Sequence, residues 1–407
     1  MKRYIVVMAL IAALCTLNAG NSIFSYEGFP VRFYGNDIYG LSMGDTGSAD
    51  LYRFNSGLGN PALHNASQRS ILATGMIFGY TRYQSEDSGG NKNSFMDNSL
   101  DLPHFSLSFP IKNHRLGFQF NSYASGLVKN QRSFLTADSL QVKEIQKMDR
   151  YLYRGDLVYS VKLGSYSFGV AGNYYLGHES REFYQDGGFG FYNTQEELSR
   201  SFKNPSFTVG AIAQYPWASV GINYSMGAKL KGKSQRKSLD TTDMEEDYEL
   251  ALPYEAGLGV TLLPFKEHKL NVEARWEGWS QADANGKDAI KLGLGWAYEP
   301  QAETRDSYWK KMSWRGGVSW RTLPFQVAGA DVNEIGFSLG SSFPLKRDIN
   351  RLDVGIIALQ RGSLAQNKLS DTSIMMVLGF TGFDIIGKAS DRTAPREIPI
   401  KEELTEW

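Results

Sequence analysis

"LNVEARWEGW", residues 270–279, alternates between apolar and polar side chains with a period of two. The apolar set is Leu270, Val272, Ala274 and Trp276, and the polar set is Asn271, Glu273, Arg275 and Glu277. A β-strand places two such sets on opposite faces, whereas a helix would scatter the charges around its whole circumference. The stretch therefore predicts a strand with one apolar face and one charged face.

The same alternation recurs along the chain, in "TVGAIAQY", "SVGINYSMG", "IKLGLGWAY" and "SWRGGVSWR". It predicts about 14 strands, each long enough to cross a bilayer at a tilt. They are expected near residues 70–83, 103–111, 115–124, 150–163, 166–183, 205–215, 218–230, 248–264, 268–279, 288–299, 312–322, 333–344, 350–361 and 372–386. Glycines recur on one face of several strands, which leaves room for other side chains inside a lumen.

The composition fits a barrel that crosses a membrane. The chain has 42 Gly, 22 Tyr, 23 Phe and 8 Trp among 407 residues, yet its mean hydropathy is that of a water-soluble protein. Strands that alternate lipid-facing and lumen-facing residues give this average. A soluble barrel or sandwich would alternate as well, but the strand number, the strand length and an export signal favour the outer membrane. We predict an all-β fold, a transmembrane antiparallel β-barrel with an N-terminal hatch in its lumen.

The export signal is predicted in residues 1–20. Lys2 and Arg3 precede an apolar stretch from Tyr4 to Leu17 that is too short to span a bilayer. Cys15, the only cysteine, lies inside this signal, so thiol and disulfide chemistry are not expected. Cleavage would leave 41 basic and 43 acidic residues, a balance that does not suggest a nucleic-acid partner.

Connection lengths predict the orientation of the barrel, assigned to residues 70–387. Short turns follow the second, fourth, sixth and eighth strands, and longer polar loops are expected at 84–102, 125–149, 184–204 and 231–247. Bacterial barrels have short periplasmic turns and long outer loops. The charged, proline-broken residues 388–407 are predicted to form a periplasmic tail.

Residues 21–69 do not alternate and are predicted to form the hatch. They are rich in glycine, which suits close packing inside a lumen, and they hold Asp37, Asp45 and Asp50 as polar anchors. The predicted hatch residues are Gly40, Gly44, Gly47, Asn60, Pro61 and Ala62. Pro61 fixes its own φ and Asn60 can bond its own backbone, so a simple turn into the first strand is the alternative.

The stretch "YGLSMGDTGSADLYRFNSGLGNPALHNASQRSILATGMIFGY" resembles the start of FadL-type long-chain fatty-acid transporters. Near the C-terminus, "GFSLGSSFPL", "RLDVGIIALQRGSL" and "SIMMVLGFTGF" are similar to FadL-like proteins of the Bacteroidetes. The resemblance implies 14 strands, a lumenal hatch and passive uptake of hydrophobic or amphipathic compounds such as long-chain fatty acids. It further implies capture at the outer loops and sideways release through the barrel wall after the hatch moves.

Other partners are also expected. "MGDTGSAD" resembles the PorV branch of the same superfamily, which implies protein secretion or surface attachment through a protein partner. Outer-membrane lipid, lipopolysaccharide and the barrel-assembly machinery are expected partners of any such barrel. Lysines in "KLKGKSQRK", residues 229–237, either meet lipopolysaccharide phosphates or belong to a solvated loop.

Two groups of side chains are candidate ligand contacts. Phe189, Phe191 and Tyr192 lie among glycines and form either an apolar collar for a lipid-like ligand or ordinary loop packing. The charged residues expected to face the lumen are Glu273, Arg275, Glu277, Arg315 and Arg321. They attach the hatch, meet a carboxylate head group or form structural ion pairs. The five histidines lack metal-ligand spacing and no enzyme motif is present, so no metal, cofactor or catalytic residue is expected.

Overall fold

The computed structural model describes residues 22–25, 29, 31–53, 59–66, 69–87, 89–136, 141–188, 194–283, 285–301, 306–345 and 350–383. The predicted signal peptide and periplasmic tail lie outside these residues. No helix among the described residues is long and apolar enough to cross a membrane.

Fourteen antiparallel strands form one sheet that closes on itself. They are β1 (Ile71–Glu86), β2 (Lys92–Asp101 and His104–Ile111), β3 (His114–Leu135), β4 (Gln141–Leu163), β5 (Tyr166–Asp186), β6 (Thr194–Gln214), β7 (Ala218–Ser225 and Ala228–Ser238), β8 (Glu246–Leu252 and Glu255–Phe265), β9 (His268–Glu277), β10 (Ala289–Tyr298), β11 (Ser313–Val327), β12 (Ala330–Pro344), β13 (Arg351–Ser363) and β14 (Leu369–Phe383). β14 pairs with β1 from Leu369 opposite Ser85 to Phe383 opposite Ile71, which closes the barrel. The predicted 14-strand barrel is confirmed.

The two faces of the wall differ as a membrane barrel requires. On β9, Val272 is 44% exposed, whereas Glu273 is 2% exposed and Arg275 and Glu277 are also buried. The outer face therefore carries the apolar side chains and the inner face carries the charges, which reverses the pattern of a soluble barrel. Trp314, Val318 and Trp320 continue the exposed apolar face on β11.

The long outer loops predicted at 84–102, 125–149, 184–204 and 231–247 are wrong. Most of these residues are strand, because β1, β3, β5 and β7 extend to Glu86, Leu135, Asp186 and Ser238, and the strands that follow them begin at Lys92, Gln141, Thr194 and Glu246. The extensions mix polar and apolar side chains without a regular period, as in Lys92–Asp101, so the apolar alternation that marks a strand in the sequence is missing there. We call this end of the barrel the hairpin end and the opposite end the turn end.

The wall is uneven in height at the hairpin end. β3 and β4 have 22 and 23 residues, whereas β9 and β10 have 10 each. Two short helices lie in hairpin-end connections, α2 (Trp279–Ala282) after β9 and α3 (Leu364–Asn367) after β13. A 3-10 helix, Tyr308–Lys311, lies in the long connection between β10 and β11 at the turn end.

The described residues between Ser22 and Ala66, here called the lumenal segment, contain only short elements. They are a 3-10 helix at Ile23–Ser25, a two-residue strand at Val31–Arg32, α1 (Ile38–Leu41) and a 3-10 helix at Pro61–Ala66. Val31 and Arg32 pair with Ser125 and Ala124 of β3. The segment is largely buried against inward-facing residues of the wall, so it occupies the lumen.

Candidate functional site in the barrel lumen

Glycines let the lumenal segment approach the wall. Gly44 has φ of +68°, and a Cβ there would lie 2.5 Å from the backbone oxygen of Leu294 and 2.8 Å from that of Val318. Its N–H donates to Ser338 Oγ at 2.7 Å. At Gly40, a Cβ would lie 2.4 Å from the Thr46 oxygen. Only glycine fits both positions, since any side chain would collide with backbone.

The charges of β9 bind the lumenal segment directly. Glu273 Oε2 accepts the N–H groups of Gly47 and Ser48 at 3.0 and 2.9 Å. Its other oxygen pairs with Arg275 Nε at 2.6 Å, and Arg275 donates to the Tyr34 carbonyl at 3.0 Å. These bonds satisfy backbone groups that would otherwise be buried without partners.

Glu277 lies at the hairpin end of β9 and pairs with Arg32 of the lumenal segment at 3.0 Å. It also accepts the indole N–H of Trp279 at 2.6 Å. Arg32 forms a second ion pair with Glu255 at 3.1 Å. One arginine of the segment is therefore held by carboxylates from β8 and β9.

Arg315 and Arg321 of β11, two strands along the wall from β9, take different partners. Arg315 donates to Ser42 Oγ at 2.6 Å and pairs with Asp353 at 3.3 Å. Arg321 pairs with Glu334 at 2.7 Å and contacts the Arg32 carbonyl only at 3.4 Å. All five predicted lumen charges thus face inward and contact the segment or another wall charge.

Further ion pairs join the segment to the wall through residues that were not predicted as site residues. Asp45 pairs with Lys291 at 2.5 Å and Asp50 with Lys269 at 3.0 Å. Within the segment, Arg53 pairs with Asp37 at 2.7 Å. The three aspartates stand out in the sequence as polar anchors, and the inward alternation of β9 and β10 could have suggested the two lysines.

Two tyrosines of the segment lie among cations. The Tyr39 ring has Arg53 and Arg315 within 4.1 and 4.2 Å of its centroid, and Lys269 and Arg351 within 5.0 and 5.1 Å. Its hydroxyl also donates to Glu299. Desolvated cation–π contacts of this kind are each worth up to about 2 kcal/mol. They offset part of the repulsion between the closely spaced cations.

Tyr34 is the second such tyrosine, at the level of β9–β11. Its ring centroid is 4.7 Å from Lys291 Nζ, with Arg32 and Arg275 at 5.2 and 5.6 Å.

Asp37, the residue directly before α1, illustrates how buried charges of the segment are balanced. Burial alone would raise the pKa of the Asp37 carboxyl, but Arg53 and the N–H of Gly40 lower that pKa well below its usual range.

The Asn60-Pro61-Ala62 triplet begins the 3-10 helix and packs on β5 and β6. Asn60 Oδ1 accepts the Ala62 N–H at 3.1 Å, and Asn60 Nδ2 donates to the Ser48 carbonyl at 3.0 Å. A Cβ on Gly210 would lie 2.0 Å from Asn60 Oδ1, and one on Gly169 would lie 2.4 Å from the Pro61 carbonyl carbon. The triplet is thus placed in the lumen against two glycines of the wall.

A cavity of about 960 Å³ lies between β2 and β3 at the hairpin end. Among the described strand pairings, none joins Lys92–Asp101 of β2 to the part of β3 beyond Ser122, although the lower part of β2 pairs with β3 from His104 opposite Asn121. The wall is therefore open from mid-height upwards. The apolar lining of the cavity consists of Ile23, Phe24, Tyr83, Phe95, Val128, Val327 and Leu369.

Local sequence explains where the wall opens. Pro103 interrupts β2 and has no N–H to donate, while its carbonyl accepts the Ser122 N–H at 2.9 Å. β3 has a register shift between Ser122 and Ala124. A β-bulge bends its strand, so β3 diverges from β2 at this point.

A smaller cavity of about 70 Å³ lies lower in the lumen. Its apolar lining is Phe33, Leu41, Ile357, Leu359 and Met375, and charged residues including Arg321 and Arg361 also line it. Both arginines pair with Glu334. The space holds only a few non-hydrogen atoms and its charges are already paired with each other.

The predicted aromatic collar of Phe189, Phe191 and Tyr192 lies outside the described residues. Among the residues that the structure describes, no group of three or more His, Cys, Asp or Glu side chains could hold a metal ion.

The comparisons with known proteins agree on the fold. A family model described as BamG matches residues 1–384. The Ralstonia pickettii toluene transporter TbuX has a similar structure, with a TM-score of 0.62 at 12% identity over 89% of this chain and 100% of that one. The Pseudomonas putida toluene transporter TodX matches with a TM-score of 0.60 at 14% identity, over 86% and 99%. A Pseudomonas aeruginosa FadL homologue matches with a TM-score of 0.56 at 14% identity, over 86% and 98%.

These identities are low, so the solved structures establish that the fold is FadL-like and leave the cargo open. No curated protein matches the chain. The resemblance to FadL-type outer-membrane barrels is confirmed in the fold.

Proposed function

Because the chain belongs to the BamG family and has the fold of FadL-type barrels, we propose that it is an outer-membrane channel for passive passage of hydrophobic or amphipathic compounds. The observation that carries this proposal is the open wall between β2 and β3 beside a cavity of about 960 Å³. Lipopolysaccharide hinders apolar solutes, and a barrel that offers an apolar cavity beside the membrane gives them a route around it.

The proposed route runs from the hairpin end into the cavity and then sideways into the membrane. Phe78 and Tyr80 of β1 are exposed on the outer face and pair with Leu100 and Asn98 of β2. The lower part of the opening is therefore level with the apolar outer surface of the wall. The lumenal segment fills the barrel below, so it favours lateral release over a straight path to the turn end, which we assign to the periplasm.

The substrate class follows from the lining. Apolar side chains from β1, β2 and β3 suit a hydrocarbon, and Lys129 in the same lining supplies a cation for one carboxylate. Long-chain fatty acids combine both features and are our first candidate. Neutral aromatic hydrocarbons are the second. The collar of Phe189, Phe191 and Tyr192 remains a proposed point of capture for the same substrates.

Filling the cavity tests the proposal. Ser94→Trp and Ser133→Trp place an indole on each edge of the opening, and together they are expected to reduce hydrophobic-substrate uptake at least tenfold. Uptake of labelled fatty acid and of labelled toluene would be measured in cells without other FadL-type channels. Ser201→Trp, on the exposed face of β6, is the matched control. Wild-type uptake by the double variant would refute the proposed route.

A second candidate function is association with a protein partner, as in the PorV branch or beside the barrel-assembly machinery that the family name suggests. The favouring observation is the pair of open strand edges across the wall gap. This chain's own Val31–Arg32 already pairs with the β3 edge, and exposed edges are general sites for strand addition. Purification of the tagged chain from native outer membranes separates the two functions. A stoichiometric protein partner favours the second, and a lipid-like ligand without one favours the first.

We also propose a contact with outer-leaflet phosphates on the outside of β6–β8. Lys231 lies directly opposite Lys203, and like charges in this register repel. Lys229 and Lys233 are partly balanced by Glu249 and Asp247, at 3.7 and 2.8 Å. Replacing Lys203 and Lys231 by Gln should lower the lipopolysaccharide that co-purifies. An unchanged amount would refute this contact.

A further inference from the structure

We propose that the turn end of the barrel carries an oxyanion site built around Arg115 that takes a phosphate group. A cavity of about 210 Å³ lies where the β2–β3 turn and the β4–β5 turn meet the 3-10 helix Pro61–Ala66. Its polar lining is Asn65, Lys112, Asn113, Arg115 and Lys162. This cavity is at the opposite end of the barrel from the proposed hydrophobic route.

Arg115 is a buried cation without a carboxylate partner. It is 3% exposed, and its two recorded acceptors are neutral: Ser108 Oγ at 2.8 Å from Nη1 and the Arg69 carbonyl at 2.5 Å from Nη2. No acidic residue in the described part of the chain forms an ion pair with it. The buried arginines of the opposite wall, Arg315, Arg321 and Arg361, all have carboxylate partners.

The surroundings of Arg115 add positive charge and hydrogen-bond donors. Lys112 and Lys162 are exposed at the mouth of the cavity, and Lys162 Nζ donates to the neutral Gln214 at 3.2 Å. Asn65 and Asn113 contribute amides, and none of the cavity's lining residues is acidic. Three cations with no anion form a field that attracts an oxyanion, and a buried charge needs such a counter-ion.

The shape of the site favours phosphate. A guanidinium presents parallel N–H groups that match two oxygens of a phosphate, and lysines add point charges beside it. At about 30 Å³ for each water, the cavity has the volume of about seven waters, which is enough for one phosphate group with part of its hydration. The phosphate could belong to a phospholipid head group of the leaflet at the turn end, or it could be free in solution.

The site lies directly beneath the lumenal segment. His64, one residue before Asn65, is hydrogen-bonded to Gln119 at 2.6 Å. A Cβ on Gly117 would lie 2.5 Å from its ring. An anion on Arg115 would therefore neutralise a charge next to the 3-10 helix. We expect bound phosphate to stabilise that helix in its position.

Binding by purified protein tests the site. The chain without residues 1–20 would be folded in neutral detergent, stripped of lipid and titrated with inorganic phosphate at constant ionic strength, and separately with short-chain phosphatidylglycerol. Binding of both probes or of phosphate alone supports a site open to free phosphate. Binding of the lipid alone supports a head-group site. Arg115→Gln is expected to weaken binding roughly tenfold or more, whereas Lys266→Gln, an exposed cation in another turn at the same end, should change nothing.

Two results would overturn the proposal: neither probe binds, or Arg115→Gln binds as tightly as the wild type. Heat-modifiable electrophoretic mobility reports whether each variant folds as a barrel. If Arg115→Gln does not fold, the double variant Lys112→Gln/Lys162→Gln decides the question, because both positions are exposed. Its affinity for the bound probe should fall at least threefold, and an unchanged affinity refutes the site.

Discussion

Glu273 is the residue on which the attachment of the lumenal segment depends most directly. One oxygen accepts two N–H groups of the segment and the other pairs with Arg275, all in a buried setting. Glu273→Gln keeps the shape of the side chain but removes the negative charge that compensates the positive charges of Arg275 and Lys291. Removing one partner of a buried ion pair costs about 3–5 kcal/mol.

We therefore expect Glu273→Gln to loosen the segment around Gly47 and Ser48 without opening the barrel. Amide hydrogen exchange at these two residues should accelerate at least tenfold, and ion conductance in planar bilayers should rise. Glu196→Gln, on an exposed hairpin, is the control and should behave as the wild type. Unaltered exchange at Gly47 and Ser48 would show that Glu273 is not an anchor.

His64 gives the segment a pH dependence. Burial, together with the charge of Arg115, lowers the pKa of His64 to about 3, from 6.5 for an ordinary histidine. Between about pH 3 and pH 6.5, His64 therefore binds a proton in the unfolded state but not in the folded state. The contribution of neutral His64 to the stability of the folded state is complete above about pH 6.5. It is lost progressively as the pH falls towards 3.

Amide hydrogen exchange of residues 62–66 checks this prediction. Protection of these amides, corrected for the intrinsic pH dependence of exchange, should decrease between pH 7.5 and pH 5. The loss should disappear in His64→Gln, which keeps a polar side chain but cannot titrate. Equal pH dependence in the two proteins would mean that another group is responsible.

At the scale of elements, the 3-10 helix Pro61–Ala66 is positioned by glycines of the wall. A Cβ on Gly169 would lie 2.4 Å from the backbone of Pro61, whereas a Cβ on Gly172 would meet nothing within 4 Å. Gly169→Ala and Gly172→Ala are thus the same change on the same strand with opposite surroundings. Gly169→Ala should destabilise the seated helix by about 1–3 kcal/mol, in the range for overpacking.

Limited proteolysis of folded barrels compares the two variants. Cleavage in the lumenal segment should be faster in Gly169→Ala and unchanged in Gly172→Ala. If both variants resist the protease equally, the helix does not depend on this contact.

The strands were predictable wherever the wall meets the membrane, because there one face must be apolar. On β9, the prediction of residues 268–279 agrees with His268–Glu277. The hairpin extensions were not predictable in this way, since Lys92–Asp101 has a mixed pattern on both faces. The gap between β2 and β3 was not predictable either. Pro103 is present in the sequence, but a proline alone does not indicate which neighbouring strand will separate from its own strand.

The lumen charges were predictable as inward-facing, but their partners were not. Alternation assigns Glu273 and Arg275 to one face of β9, and nothing local tells that Glu273 meets Gly47. The contact spans 226 residues and depends on how the segment turns inside the barrel. Arg32 with Glu277 and Asp45 with Lys291 are further cases of charges that find partners only after the barrel has closed.

At the scale of the whole molecule, the structure separates a fixed lower half from an open upper half. Below, ion pairs and glycine contacts hold the lumenal segment to β1, β3 and β5–β14. Above, β2 and β3 separate beside the large cavity. We therefore expect the segment to act as a stopper during transport, which departs from the hatch movement that the FadL resemblance implies.

A disulfide between segment and wall tests this expectation. A Cβ on Gly259 would lie 3.2 Å from the Ala49 Cβ and 2.4 Å from Ser48 Oγ. A disulfide, whose two Cβ atoms are about 3.8 Å apart, therefore forms here once the Ser48 hydroxyl rotates away and the two backbones separate by a few tenths of an ångström. Cys15, the only native cysteine, lies in the predicted signal peptide. In Ala49→Cys/Gly259→Cys, the oxidised protein should take up hydrophobic substrate at the same rate as the reduced protein, because the proposed route lies above the bond. Each single-cysteine variant controls for the substitutions, and the Ser94→Trp/Ser133→Trp variant shows that the assay reports on the barrel. Uptake that falls on oxidation and returns with reductant would mean that the segment moves and that the route passes through the lower lumen.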